Sequence, residues 1–386
     1  MATMKFEKIA SAGDILRWLV LLSGCALSVK LGFVRAGRSK GTIILPDRFI
    51  IMFLYIFLAS AIWSILPIET ALKTISLLLL YVCSFWTLWE YTDSISEAVI
   101  IRNTLYILGF VMTFNLVYGI FFEPASLMSS RFQGIFENPN NIGLVLGLAL
   151  PLVISRWLIT NHKLDLTITI IFLVNLLLSG NRTALFAFGV AIFFIFRSLF
   201  AKNPIQAFFI PTAAIIFLEQ FIQTNFFAEK ILREDTLYTA ANRTYFWELA
   251  QDYITNRPDF GHGFGTEGLI HNYYGTSLYA LKLRGHGVMS SYFGLAVQIG
   301  WPLTYLFFGL LWGFAVFCLF AKWRNYQLVT LAATIVSGLV IAIFEPAIYS
   351  AGNCFSFLFW MVLMLAIRRL YYQKLSLKDT TIKLVI

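Results

Sequence analysis

The segment LLLSGNRTALFAFGV, residues 176–190, joins two strongly apolar runs through a turn of only a few polar residues. Gly180 and Asn181 suffice to turn the chain, because both residue types favour tight turns. Two long apolar runs joined so closely are typical of a helical hairpin in a membrane. Arg182 is the unusual residue, because it places a positive charge at the edge of the bilayer with no acidic residue near it in sequence.

The composition extends this interpretation to the whole chain. Of 386 residues, 59% are hydrophobic and 13% are charged, and the mean hydropathy is +0.76. Soluble domains rarely exceed about 50% apolar residues. Backbone groups in lipid must be hydrogen-bonded internally, so the apolar runs predict helices rather than open strands. We expect an all-α, polytopic transmembrane helical bundle of about 11 (10–12) helices in a lipid bilayer.

Apolar runs define the predicted organisation. Residues 1–222 are expected to form transmembrane helices 1–8, residues 223–289 a long extracytoplasmic loop, residues 290–371 helices 9–11, and residues 372–386 a basic cytoplasmic tail. The run at 290–320 exceeds the length that a span requires, which predicts a tilted helix or an interfacial entry. The individual runs lie at 15–34, 49–66, 70–89, 98–122, 141–160, 164–180, 183–200, 204–222, 290–320, 326–344 and 353–371.

The basic residues indicate sidedness. Lys and Arg gather in cytoplasmic loops of membrane proteins, which accounts for the net charge of +9 without a nucleic-acid partner. The Lys and Arg residues lie in every second connection between the apolar runs and in the C-terminal tail. We therefore expect those connections and the C-terminus in the cytoplasm. Arg131, Arg182 and the segment 223–289 then lie on the outer side. The later basic positions are Arg156, Lys163, Arg197, Lys202, Lys322, Arg324, Arg368 and Arg369.

The long loop contains a predicted amphipathic helix, within NRTYFWELAQDYITNRPDFGHGFG at residues 242–265. Phe246, Leu249, Ala250 and Tyr253 recur at helical spacing. Arg243 stands at the start of this helix, and Pro258 lies just past its end. Gly261, Gly263 and Gly265 then predict an irregular turn.

Arg182 and Arg243 each admit two interpretations. An interfacial arginine commonly extends to lipid headgroups. Alternatively, a cation at the positive end of a helix is electrostatically unfavourable unless an anion binds there, and helix N–H groups with an arginine form a good phosphate site. Two such arginines on one side of the membrane suggest a diphosphate ligand.

Other candidate site residues lie in two polar stretches. RFQGIFENPNNIG, residues 131–143, is either a plain loop or a site in which Arg131, Asn138, Asn140 and Asn141 bind anions and sugar hydroxyls. His262, His271 and His286 are either solvent-exposed loop residues or proton acceptors. The sequence lacks HExxH and Asp-x-Asp motifs, so we expect no metal and no other cofactor. The four cysteines are interpreted as small buried hydrophobic residues.

These stretches resemble the O-antigen ligase/polymerase family of bacterial membrane proteins. The similarity runs through RFQGIFENPNNIGLVLGLALPL, LSGNRTALFAF, NRTYFWELAQDYITNRPDFGHGFG and SSYFGLAVQIGWPL, in the family's order, over residues of about 130–310. The resemblance implies that Arg182, Arg131 and Arg243, the last with Trp247 at the family's spacing, bind a lipid diphosphate. Trp247 and His262 join the asparagines as candidates for glycan binding. The family usually has His-Asn where this chain has Met289-Ser290, which leaves His286 as the candidate general base.

The resemblance further implies a metal-independent, inverting glycosyltransferase of surface polysaccharide biosynthesis. Its donor would be a glycan on undecaprenyl diphosphate, and its acceptor a hydroxyl of another glycan or glycolipid. The site would face the periplasm from the bacterial inner membrane. A flippase for lipid-linked oligosaccharides is the alternative function, and a non-catalytic scaffold would leave Arg182 and Arg243 unexplained. Polymerase and ligase differ only in acceptor, and the sequence does not distinguish them.

Overall fold

A computed structural model describes residues 7–30, 45–124, 131–136, 138–200, 243–270, 288–321 and 325–383. These residues form helices, with no β-strand among them. A π-helical segment, Val82–Thr87, continues the third helix into the fourth. The helices are α1 (Glu7–Ser28), α2 (Leu45–Ala59), α3 (Pro67–Tyr81), α4 (Leu88–Ser94), α5 (Glu97–Phe121), α6 (Pro139–Thr160), α7 (Lys163–Ser179), α8 (Arg182–Phe200), α9 (Arg243–Asn256), α10 (Ser291–Ile299), α11 (Trp301–Ala321), α12 (Tyr326–Phe344) and α13 (Cys354–Lys383).

Within the described part of the chain, six helices are long and apolar enough to cross a membrane. They lie at Pro67–Thr87, Glu97–Phe121, Pro139–Thr160, Trp301–Phe320, Tyr326–Phe344 and Cys354–Tyr372. The all-helical, membrane-compatible architecture agrees with the sequence prediction. The predicted number of about 11 spans is not confirmed, and the predicted run at 204–222 lies outside the described residues.

α6 and α12 form the antiparallel centre of the bundle. The hydroxyl groups of Ser155 and Thr330 are 2.7 Å apart, and Ser337 Oγ donates to the Gly147 carbonyl at 2.8 Å. The start of α6 therefore lies beside the end of α12. In the membrane-spanning stretches of α6 and α12, 78% and 83% of the residues are buried. The corresponding shares are 28% for α5 and 39% for α11. Lipid-facing surface thus belongs mainly to the outer helices.

One end of the bundle, which we call the basic end, collects several of the arginines that mark alternate connections. Arg156 pairs with Asp165 at 2.9 Å and donates to the Ala98 carbonyl at 3.3 Å. Arg369 pairs with Glu97 at 2.9 Å. These contacts place the end of α6, the starts of α5 and α7, and the outer part of α13 together. Because α6 has 22 residues, at about 1.5 Å rise per residue the opposite end is about 33 Å away.

The predicted run at 290–320 is two helices rather than one tilted span, which corrects that expectation. α10 ends before Gly300, which has a φ of 82°, and α11 begins at Trp301. The Trp301 N–H donates to the Pro258 carbonyl at 2.9 Å. A Cβ at residue 300 would overlap the Asp259 carbonyl, so only glycine permits this approach. The segment after α9 therefore packs directly on the break.

Candidate functional site

The turn between α7 and α8 is built as the sequence predicts. Gly180 ends α7 with a φ of 58°, and α8 begins at Arg182. The Asn181 Oδ1 accepts the Ala184 N–H at 3.0 Å, as a helix-capping side chain does. Asn181 Nδ2 donates to the Asn140 carbonyl at 3.3 Å. The turn that carries the partly buried Arg182 therefore contacts the first turn of α6.

Arg131 links the same two turns. Its Nε donates to the Ser179 carbonyl at 3.0 Å, and its Nη2 donates to Asn140 Oδ1. The Asn140 Nδ2 in turn donates to Glu345 Oε1 at 3.1 Å. Asn140 thus connects a guanidinium group to a carboxylate that directly follows α12.

Arg243 reaches the same carboxylate from the first position of α9. Its Nη2 lies 2.6 Å from Glu345 Oε1, although the two residues are 102 positions apart in sequence. The side chains are only 16% and 13% exposed. The guanidinium also lies 5.7 Å from the centre of the Phe344 ring, and its buried Nε has no hydrogen-bond partner among the described residues.

We call Arg131, Asn140, Arg182, Arg243 and Glu345 the arginine site. Arg243 contacts the Glu345 carboxylate directly, Asn140 connects Arg131 to it, and the turn that carries Arg182 contacts Asn140. Burial raises the pKa of the Glu345 carboxyl, while Arg243 and then Arg131 act in the opposite direction. Arginine forks with a net positive charge favour anions with several oxygens, such as phosphates.

Glu345 was missed by the sequence analysis. It stands between two apolar runs in FEPAIY, where a charged residue at a membrane boundary is itself a signal. The Ser291 Oγ donates to the Glu345 carbonyl at 2.7 Å and accepts the Ala347 N–H at 3.0 Å. These contacts fix the loop after α12 against the start of α10.

The remaining candidates occupy different settings. Asn138 is exposed and caps α6, its Oδ1 accepting the Asn140 N–H at 2.9 Å, and Asn141 is partly buried in the same turn. Trp247 stacks on Phe293 at 5.7 Å, and its buried Nε1 has no hydrogen-bond partner in the described part of the chain. His262 is fully buried, with Nδ1 3.1 Å from the Val297 carbonyl, which suits packing better than glycan contact. The proposed base, His286, lies outside the described residues.

A second carboxyl group, also missed from sequence, lies near the arginine site. Glu267 Oε2 accepts the Tyr349 hydroxyl at 2.7 Å and Gln298 Nε2 at 2.9 Å. Gly294 lies directly beneath, and a Cβ there would overlap Glu267 and Tyr349. Burial raises the pKa of Glu267 to about 7, partly offset by the hydrogen bond from Tyr349 and by the charge of Lys73.

The loop that carries Arg131 depends on Gly134, which has a φ of 57°. Ile135 N–H donates to Asn115 Oδ1 at 2.8 Å, and Asn115 Nδ2 donates to Asn175 Oδ1 at 3.0 Å. In Gly134→Ala, the new Cβ would overlap Asn115 Oδ1. Left-handed strain of about 1–2 kcal/mol and the loss of a buried hydrogen bond, about 1–3 kcal/mol, are expected to lower the melting temperature in detergent.

The matched control for this variant is Gly189→Ala on α8, where a Cβ meets no atom within 4 Å. Alanine favours a helix over glycine by about 1 kcal/mol, so this protein should melt at the same or a higher temperature. Equal melting temperatures for the two variants would contradict the role given to Gly134.

Comparison with protein-family models, with curated proteins and with solved structures finds no match to this chain. The chemistry of the arginine site therefore carries the functional argument.

Proposed function

We propose that this chain is a membrane glycosyltransferase of surface polysaccharide biosynthesis, of the O-antigen ligase/polymerase type. It transfers a glycan from an undecaprenyl diphosphate-linked donor to a sugar hydroxyl, with inversion at the anomeric carbon. The observation that supports this most is the convergence of Arg131 and Arg243 on Asn140 and Glu345, beside the turn that carries Arg182. The sequence independently predicts Arg131, Arg182 and Arg243 as the diphosphate ligands.

In this proposal the arginines bind the diphosphate and stabilise the charge that develops as it departs. Preorganised donors stabilise a leaving group most effectively where water is scarce. The acceptor hydroxyl attacks the anomeric carbon from the opposite face, while the bond from that carbon to the diphosphate oxygen breaks. Asn138, Asn140, Asn141 and Trp247 stay candidates for contacts with the glycan, and His286 stays the sequence-based candidate for the proton acceptor.

The proposal also includes the placement of the protein. The chain would cross the bacterial inner membrane about 11 times, with the basic end and the C-terminus in the cytoplasm and the arginine site in the periplasm. The six long apolar helices support a bilayer environment. The concentration of Arg156, Arg368 and Arg369 at one end of the bundle supports this orientation. The lipid tail of the donor would stay in the membrane while its diphosphate reaches the opposite end.

Deletion of the gene, followed by analysis of the lipid-linked and finished surface glycans, tests this function. Single repeat units on the finished acceptor indicate a lost polymerase, and long chains retained on undecaprenyl diphosphate indicate a lost ligase. Units trapped on the cytoplasmic leaflet would instead indicate a flippase. An unchanged glycan profile, or full complementation by Arg182→Ala, would contradict the proposal.

A further inference from the structure

Glu267 is held in a setting that suits proton transfer. Both of its hydrogen bonds within the described residues, from Tyr349 and from Gln298, fall on Oε2. Oε1 accepts none from the described part of the chain, and Glu267 is only partly buried as a residue. One carboxylate oxygen is therefore fixed in place, while the other has no hydrogen-bond donor among the described residues.

The support around Glu267 is rigid. Gln298 Nε2 also donates to the Gly294 carbonyl at 2.9 Å, and Gln298 Oε1 accepts the Gly265 N–H. The Gly265 carbonyl accepts Lys73 Nζ from α3. Glycine at position 294 leaves the space that the carboxyl occupies. Three segments therefore position the Glu267 carboxyl group: α10, the loop after α12, and α3, which acts through Gly265.

Glu267 and the arginine site share two supporting elements. Ser291, in the first turn of α10, binds the Glu345 carbonyl, and Gly294 lies one turn further along the same helix. One helical turn advances about 5 Å. Tyr349, which donates to Glu267, belongs to the short loop that begins at Glu345. The same helix and the same loop therefore hold both Glu267 and Glu345, and the carboxyl group belongs to the same end of the bundle as the arginine site.

We propose that Glu267 is the catalytic base, and that its Oε1 accepts the proton of the acceptor sugar hydroxyl; this rests on the proposed glycosyltransferase function. The acceptor oxygen forms the new bond to the anomeric carbon, and its proton passes to Glu267. The old bond to the diphosphate oxygen breaks, and the electron pair leaves with the diphosphate at Arg131, Arg182 and Arg243. No oxidant or further reactant is required.

The pH dependence follows from the protonation state of the carboxyl. The pKa of Glu267, raised by burial to about 7, makes the carboxylate a stronger base than a surface glutamate. Only the deprotonated form accepts a proton, so the rate of transfer should fall as the pH drops below about 7. The titratable and charged groups that face it are Tyr349, from the loop after α12, and Lys73, from α3; both act to lower its pKa.

The test uses the full-length protein in liposomes with the lipid-linked glycan that accumulates in the deletion strain. Glu267→Gln keeps the shape of the side chain but accepts no proton, and we expect transfer to fall about 10²–10⁴-fold. Retention of the wild-type melting temperature in detergent separates this loss from misfolding. Full activity of Glu267→Gln with an unchanged pH profile would overturn the proposal.

A second arm uses azide as the nucleophile, because this anion needs no base. Azide should restore turnover in Glu267→Gln and yield the glycosyl azide. It should not do so in Arg243→Ala, where stabilisation of the leaving group is lost. If the wild-type protein transfers glycan but azide does not restore turnover in Glu267→Gln, then Glu267 has a structural role. The glycosyltransferase function would still stand in that case. Absence of transfer by the wild-type protein would contradict the glycosyltransferase itself.

A third arm shifts the pKa of Glu267 without removing its carboxyl group. Tyr349→Phe deletes a hydrogen bond that lowers the pKa of Glu267, and Lys73→Met deletes a charge that does the same. In both variants the acid limb of the pH–rate profile should therefore shift to higher pH. An unshifted limb in both variants would overturn the proposal, as would disappearance of the limb in His286→Ala instead.

Discussion

Arg243→Ala is expected to reduce glycan transfer by at least about 10²–10³-fold, the size of effect seen when a preorganised donor to a developing negative charge is removed. Arg243 is the first residue of α9, pairs with Glu345 at 2.6 Å, and has an Nε without a hydrogen-bond partner within the described ranges. Its loss removes both a positive charge and the fork that recognises phosphate oxygens. The measurement is the initial rate with lipid-linked donor in reconstituted liposomes.

Two further variants sharpen this prediction. Arg243→Lys should recover little activity, because an ammonium group does not reproduce the bidentate fork. Arg102→Ala removes an arginine of α5 whose side chain donates a hydrogen bond to the adjacent Asn103 at 3.3 Å and contacts no member of the arginine site through a described hydrogen bond, and it should transfer normally. Equal rates of glycan transfer by Arg243→Ala and Arg102→Ala would contradict the proposed role of the arginine site.

Glu345→Ala is expected to lower both stability and transfer. Removal of one partner from a buried ion pair costs about 3–5 kcal/mol, and the partial exposure of Arg243 and Glu345 places the expected loss towards the lower figure. Asn140 also loses its acceptor, at 3.1 Å in the native site. We expect a lower melting temperature in detergent and a higher KM for the lipid-linked donor, because Arg243 is no longer held in place.

Glu345→Gln separates charge from shape in this prediction. The amide oxygen still accepts from Arg243 and Asn140, so its melting temperature should lie between those of the native protein and Glu345→Ala. Glu248→Ala, on the exposed face of α9, is the control and should change stability by less than about 0.5 kcal/mol. A native melting temperature for Glu345→Ala would show that the ion pair holds nothing in place.

Local patterns were sufficient for several parts of the structure. The helix from Arg243 to Asn256 buries Phe246, Ala250 and Tyr253, as its periodicity predicted. The turn at Gly180 and the helix that begins at Arg182 were predicted because a few neighbouring residues determine them. The periodicity of an amphipathic helix and the residues that form a turn are both local features. They can therefore be predicted from a single sequence.

The contacts between distant segments were not predictable in the same way. Glu345 meets Arg243 only because α6 and α12 pack antiparallel and α9 docks on their common end. Glu267 likewise meets Tyr349, 82 positions away in sequence, only through the packing of distant segments. Hydropathy likewise overlooks a break such as Gly300, because one glycine hardly alters the average over a long apolar window.

The unequal burial of the helices has a mechanical consequence. Asn140 and Glu345 are attached to α6 and α12, the two most buried of the six described spans, whereas only 28% of the spanning stretch of α5 and 39% of that of α11 are buried. A bilayer that is thicker or thinner than the protein exerts its hydrophobic mismatch on helices that touch lipid, which respond by tilting. We therefore expect the outer helices to tilt in response to bilayer thickness more than α6 and α12 do. The geometry of the arginine site should accordingly depend little on the length of the lipid acyl chains.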